Sequence, residues 1–326
     1  MCQGRRLDRK AQSFVGCLRK FLTPDVWKQG HQHKGCPKGK RWSLQPLLLT
    51  LFIMTWCTGD SQPERFETAK AFCVAVRSKR ARPGKTIHGF QRALAKTPLG
   101  VLRAVAKGVR QKLLEVLGSV LTVGGFIPLG CDGSRLLCPR VTELEQRMGK
   151  AAAANTAPQV WITALVHLST GLLWSWWIGK GDASERHHLE RLVPTLPRKA
   201  LVVTDAGYQS FRLALCLLGN GVDFLVRASS NTTLYTAEAT MLEHWVEGVV
   251  YWWTKEAQRE GLPPLRLRLL RVRGRKHDVW LLTSVLEAER LPHALAARFY
   301  KMRWENEVFH PDYPSSDRLY PGWRAA

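Results

Sequence analysis

Along residues 44–120 the apolar positions recur at intervals of three and four, with cations between them. "ERFETAKAFCVAV" and "VLRAVAKGVRQKLLEVLG" are two such runs, and this spacing predicts amphipathic helices. "KRARPGKTIHG" separates them as a loop. "LQPLLLTLFIMTWC" is apolar for about fourteen residues and contains Pro46. A membrane span needs about 20, so a buried helix is expected there. Residues 1–40 are basic, rich in Gly and Gln, and expected to be poorly ordered. Gly124 and Gly125 mark a boundary, and the period then changes.

Beyond that boundary short apolar runs predict strands. "FIPLGCDG" is the first, and "QVWITALVHLS" and "GLLWSWWIG" form a hairpin about Thr170 and Gly171. "DASERHHLERLVPTL" reads as a helix capped by Asp182 or Ser184. Its His187 and His188 read as a solvated face. "ALVVTDAGY" is a buried strand ending in an aspartate, and "SFRLALCLLGNG" is a helix stopped by Gly219 and Gly221. "VDFLVRAS" and "DVWLLTS" are further strands on either side of an irregular stretch, residues 229–277. "PHALAARFYKMRWENEVF" is the final helix. The order is that of an α/β domain with a mixed sheet and an insertion.

Charge sharpens this division. The 326 residues carry a formal net charge of +23. Residues 1–120 hold 24 Lys and Arg against 6 Asp and Glu, a net of +18. Residues 68–114 contain twelve basic side chains and no acidic one. Charge segregated in this way points to a polyanion, and nucleic acid is the usual one. Arg80, Arg82 and Lys85, in the loop between the two helical runs, are candidate DNA contacts. The eight cysteines include no CxxC pair and read as reduced thiols of a cytosolic protein. His31, His33 and Cys36 stand close in "HQHKGC" without the second paired half of a zinc site. "MCQGRRLDRK" lacks the apolar core of a signal peptide.

Two aspartates stand where strands end: Asp132 after "FIPLGC" and Asp205 after "ALVVT". Open α/β sheets place their sites at such ends. On the last helix Tyr300, Arg303 and Glu307 are three and four apart, which puts them on one face. Converging carboxylates repel unless cations intervene, and hard oxygen ligands suit Mg²⁺. Singly, an aspartate at a strand end is more often a turn or cap residue.

The blocks "DGS", "TDAGYQSFRLALCLLGNGVDFLVRA" and "WLLTSVLEAERLPHALAARFYKMRWENEVF" resemble bacterial insertion-sequence transposases of the DDE class. Within that class they are similar to the IS-four-like group, whose last helix carries a Y-x2-R-x3-E-x6-K signature. The resemblance implies an RNase H-like catalytic domain over residues 121–310, after a basic helical DNA-binding region at 1–120. It implies that Asp132, Asp205 and Glu307 are catalytic carboxylates binding Mg²⁺ or Mn²⁺, and that Tyr300 and Arg303 hold a phosphate. It places a β-rich insertion at 229–277, where Trp252 and Trp253 are candidates to stack on a base, with packing of the insertion's own core the competing role. The implied partners are double-stranded DNA, as terminal repeats and target, and a second copy of the chain in a homodimer on paired ends. The resemblance implies no membrane partner and a location in the bacterial cytoplasm and its nucleoid.

The signature's lysine would fall at position 314, which is Pro314, and Pro311 follows Glu307 by four. A proline there removes the N–H that would bond to the carbonyl of residue 307, so the helix is expected to end near Phe309 or His310. Residues 311–326 carry no family likeness. Three rivals follow: a truncated, catalytically inactive remnant that only binds DNA, a general basic nucleic-acid-binding protein, and a peripheral membrane protein.

Overall fold

The computed structural model describes residues 9–39, 41–57, 59–76, 82–148, 157–274 and 277–307, with backbone alone for 9–12 and 304–307. The chain divides into two compact units, residues 1–118 and 119–326.

The first unit is helical. It holds α1 (Arg9–Phe21), α2 (Pro24–Gln32), α3 (Leu44–Trp56), α4 (Gln62–Val76), α5 (Ile87–Ala95) and most of α6 (Leu99–Leu121). Pro24 opens α2 at the position where its missing N–H costs nothing. Thr86 caps α5, its hydroxyl accepting from the Gly89 N–H at 3.2 Å. The apolar run at 44–56 is indeed a buried helix, with Leu44, Leu47, Thr50 and Ile53 all inside. Three small cores meet along it: Leu44 with Val26, Trp27, Val101 and Val105, Leu47 with Phe66 and Phe90, and Ile53 with Ala69 and Cys73. Of the stretch 1–40, expected to be poorly ordered, the described residues 9–39 form α1 and α2, and residues 1–8 and 40 lie outside the described residues. Val26 and Trp27 look isolated in a polar stretch, but their apolar partners lie some 20 to 80 residues away in the chain. Among the described residues no helix is long and apolar enough to cross a membrane.

The second unit is built on one nine-stranded sheet. Its elements run β1 (Ile127–Leu137), α7 (Thr142–Met148), β2 (Gln159–His167), β3 (Leu173–Lys180), α8 (Glu185–Leu192), β4 (Ala200–Thr204), α9 (Phe211–Gly219), β5 (Asp223–Arg227), β6 (Leu234–Tyr235), β7 (Gly248–Trp252), α10 (Lys255–Arg259), β8 (Leu265–Val272), β9 (Val279–Thr283) and α11 (His293–Glu307). The strand order is β3-β2-β1-β4-β5-β9-β8-β7-β6. β1, β2 and β3 form an antiparallel meander, while β4 lies parallel to β1 and β5 parallel to β4. This is an RNase H-like mixed sheet. The stretch at 229–277 continues it: its β6, β7 and β8 pair antiparallel, and β8 joins the central strands through β9, which pairs with β5.

Both faces of the central strands are covered, so β4 is buried at every position, as parallel strands usually are. Leu201, Val203, Leu225 and Leu281 pack with Ala296, Phe299 and Tyr300 of α11 on one face. Val202, Thr204, Phe224 and Val226 share the other with Leu189 of α8 and Leu213 of α9. His188 belongs to this second layer: it is 4% exposed, and its Nδ1 is 2.9 Å from the Thr163 hydroxyl. Only His187 of the pair faces solvent. Arg268, on β8, is buried too, and its guanidinium donates to the carbonyls of Leu286 and Leu291 in the loop that leads into α11.

Candidate active site

The register of β1 against β4 decides where the two aspartates fall. Leu129 pairs with Val202 and Gly130 with Val203. Two residues further along each chain come Asp132 and Asp205. Two residues is one full pleat, so both aspartates emerge side by side, on the face that carries Gly130 and Val203. Both are half-buried. Asp205 is fixed locally, because its Oδ1 accepts from the Gly207 N–H at 2.8 Å and caps a single 3-10 turn, residues 206–208.

That face lies beneath α11. A Cβ at Gly130 would sit 2.6 Å from Leu168 Cδ2 and 3.7 Å from Arg303 Cγ. It is the Leu168 side chain that such a Cβ would strike, while the Arg303 stem lies at ordinary contact distance over β1. Leu295 packs at Gly124 and Arg303 at Gly130, so α11 runs alongside β1 in the same direction. Four residues past Arg303 the helix has risen about 6 Å. Two residues past Gly130 the strand has advanced about 6.6 Å. The backbone of Glu307, the last residue of α11, thus comes level with Asp132. The Glu307 side chain lies outside the described residues, as do residues 308–326 with Pro311 and Pro314, so the expected end of the helix falls there too.

A third carboxylate, which the sequence pattern marks only as the start of a helix, stands behind the pair. Glu185 opens α8. A Cβ at Gly133 would meet its Oε1 at 3.1 Å, so its carboxyl rests on β1 one residue past Asp132. Burial pushes its pKa up, the Tyr208 hydroxyl pulls it down, and Asp205 and Asp132 raise it again. Tyr208 is 2% exposed. Its pKa is raised, first by burial and then by Cys131 and Glu185. Cys131, fully buried before Asp132, is raised mainly by burial. Next to Glu185, the Arg186 Nε donates to the Gly207 carbonyl at 2.8 Å.

Two hard carboxylates adjacent on one face suit a hard divalent cation. Among the described residues no three His, Cys, Asp or Glu side chains are grouped to hold one. The HQHKGC segment offers no such group: Cys36 Sγ is 3.5 Å from His31 Nδ1, while His33 Nδ1 is 2.8 Å from the Lys34 carbonyl.

The other candidates scatter. Tyr300 and Arg303 are 3% and 2% exposed, with the guanidinium 5.6 Å from the Tyr300 ring centre. Trp252 is in the core, edge-on to Phe211 at 5.6 Å, and presents no face to a base. Trp253 is half-buried and donates from Nε1 to the Leu262 carbonyl at 2.7 Å. Lys85 is exposed and Arg82 half-buried. Arg80 lies outside the described residues.

Residues 140–310, more than half of the chain, match the family described as the Transposase DDE domain. The chain belongs to that family: it is a DDE-type transposase, an enzyme of DNA transposition that binds DNA, and such enzymes work with divalent metal ions. The match includes Asp205 and Glu307 and begins eight residues after Asp132. With that membership, neither an inactive DNA-binding remnant nor a general nucleic-acid-binding protein is favoured. No curated protein matches the sequence. Among solved structures, one similar chain is that of a cryo-EM structure of piggyBac transposase synaptic complex with hairpin DNA. The two are 12% identical, with a TM-score of 0.41, over 90% of this chain and 68% of that one.

Proposed function

We propose that Asp132, Asp205 and Glu307 are the catalytic carboxylates of this transposase and hold Mg²⁺ or Mn²⁺. The observation that carries this is the placement of Asp132 and Asp205 at matched positions of adjacent parallel strands, beneath the helix that ends in Glu307. Bound there, a divalent cation would supply Lewis-acid polarisation of a phosphodiester and activation of the attacking oxygen. The protein's part is to orient. Asp205 is held by its own turn, Asp132 by the β1 ladder, and the helix that ends at Glu307 by the packing of Phe299 and Ala296 against the sheet. Tyr300 and Arg303, buried on the same helix, steady that packing beneath the turn that carries Glu307. Residues 1–118 bring the positive charge that holds DNA, and two copies act together on paired ends.

The finer assignment, to a bacterial insertion sequence of the IS-four-like group acting on nucleoid DNA at its terminal repeats, rests on the Y-x2-R-x3-E spacing of Tyr300, Arg303 and Glu307. The test is a nicking assay on terminal-repeat DNA with Mg²⁺ or Mn²⁺. Asp132→Asn, Asp205→Asn and Glu307→Gln should each lower cleavage by about 10²–10³-fold with DNA binding retained. Full cleavage by either aspartate variant would sink the site.

A further inference from the structure

The sheet is ragged at the end where the aspartates stand. β1 pairs with β4 only as far as Gly130 and Val203, and β4 ends at Thr204. β1 runs on to Leu137, paired with β2 alone, so residues 132–137 project past β4 beside the site. Arg135, on this projection, stands opposite Trp161 of β2. Its guanidinium lies over the indole, 4.1 Å from the ring centre. The indole in turn leans over Gly133, where a Cβ would meet its Nε1 at 2.5 Å. A second arginine is fixed at the turn that follows Asp205. Arg186 donates from Nε to the Gly207 carbonyl at 2.8 Å, and Asp205 caps that turn. Both arginines are exposed. Among the described residues neither is in an ion pair, whereas Arg212, Arg271 and Arg290 each have a carboxylate partner. The acid beside them, Glu185, rests over Gly133 and is half-buried, which leaves the two guanidiniums as the exposed charges of this row.

Two carboxylates side by side repel a DNA backbone, so a strand brought to them must be held by cations nearby. Exposed arginines ordinarily lose rotamer freedom when they grip a phosphate. Here one stem is tied by its Nε and the other guanidinium is stacked on a ring, while the remaining N–H donors of each fork stay uncommitted. A planar fork of this kind matches phosphate oxygens bidentately. Arg135 lies three residues past Asp132, about 10 Å along the strand, which is the axial rise of about three phosphates of one DNA strand. We infer that Arg135 and Arg186 form a backbone-binding pair that holds the DNA phosphates next to the one presented to Asp132 and Asp205. The inference rests on the proposed function, because it takes the aspartates as the reaction centre. It adds a local hold in the second unit to the charge of the first.

The experiment measures binding of the full-length protein to duplex DNA carrying the terminal repeat, in EDTA and over a series of salt concentrations. Arg135→Ala and Arg186→Ala should each weaken binding about 10-fold and flatten its salt dependence by about 0.9 log units per decade of salt. Arg186→Lys should restore that slope, because an ammonium neutralises the same phosphate. Arg198, exposed at the other end of β4, serves as the control, and Arg198→Ala should change neither quantity. Duplexes with single uncharged methylphosphonates locate the contacts. Those substituted within about three phosphates of the cleavage point should bind the parent weakly, and at one such position Arg186→Ala should lose nothing further. Thermal melting of each variant should show the fold kept, since the side chains removed are exposed. An unchanged slope in both alanine variants would overturn the pair. So would an equal loss in Arg198→Ala, an Arg186→Lys slope as flat as that of Arg186→Ala, or sensitive phosphates that all lie far from the cleavage point. With no divalent ion present, binding reads the arginines whatever the aspartate variants do in the nicking assay, so failure of this pair and failure of the aspartate site are told apart.

Discussion

The two units of this chain use opposite materials. Residues 1–118 carry most of the positive charge on a bundle whose three small cores share a single apolar helix, α3. Residues 119–326 carry few excess charges and spend their apolar residues on one large sheet, with layers on both faces. Cations spread over helices can hold a phosphate backbone without being placed to an ångström, because that attraction is long-ranged and summed over many contacts. Carboxylates that must share an ion need a frame set by backbone pairing. The difference separates grip from chemistry, and each can be broken without the other.

The largest effect should come from removing a central aromatic in each unit. Phe66 and Phe299 are both fully buried, and truncation of either to alanine should cost about 3–5 kcal/mol. Phe66→Ala should lower DNA affinity, whereas Phe299→Ala should lower cleavage by loosening α11 over β1. Equal losses of binding and cleavage in both variants would erase the distinction between the units.

A second measurement sharpens the distinction at the surface. Lys85, Arg92, Lys96 and Lys107 are exposed. Changing all four to alanine should flatten the salt dependence of DNA binding by about 0.9 log units per decade of salt for each phosphate that is no longer neutralised. An unchanged slope would move the DNA contacts into the second unit.

The smallest effect is one of pH and concerns the second unit alone. His167 is buried, with Nε2 2.9 Å from the Leu121 carbonyl and Nδ1 2.8 Å from the Thr170 hydroxyl. Burial lowers its pKa, partly offset by the bond to Leu121. His188 is lowered by burial and by His187. With the folded pKa below the unfolded value of about 6.5, the unfolded chain takes up protons first as pH falls. Stability should therefore decline below about pH 6.5. His167→Gln should reduce that decline between pH 7 and 5 in thermal melts, at some cost in stability at pH 7. An equal decline in the variant would assign the pH dependence to other groups.

Much of the layout is legible in the chain. Strict apolar runs such as "ALVVT" and the hairpin about Gly171 depend on local patterning, and they appear as β4 and as β2 with β3. The insertion is less legible. Its alternating "LRLRLLRV" joins the main sheet through β9, and nothing local in a strand says which edge it will meet. His188 reads as solvated for the same reason: its neighbour across the layer is Thr163, 25 residues away in sequence. Trp252 reads equally as a base-stacking or a core aromatic, and the structure puts it in the core, because its ring partner, Phe211, belongs to a different element.

By itself the sequence determined the division into a basic helical part and an α/β part, and it singled out Asp132, Asp205 and the Tyr300, Arg303, Glu307 face, because charge counts and helical spacing are local properties. The tertiary structure alone decided that β1 and β4 are parallel neighbours in a register that brings the two aspartates abreast, and that Glu185 and Tyr208 stand behind them. Strand pairing joins segments some seventy residues apart, and its register is fixed by the packing of whole layers, which no short window of sequence contains.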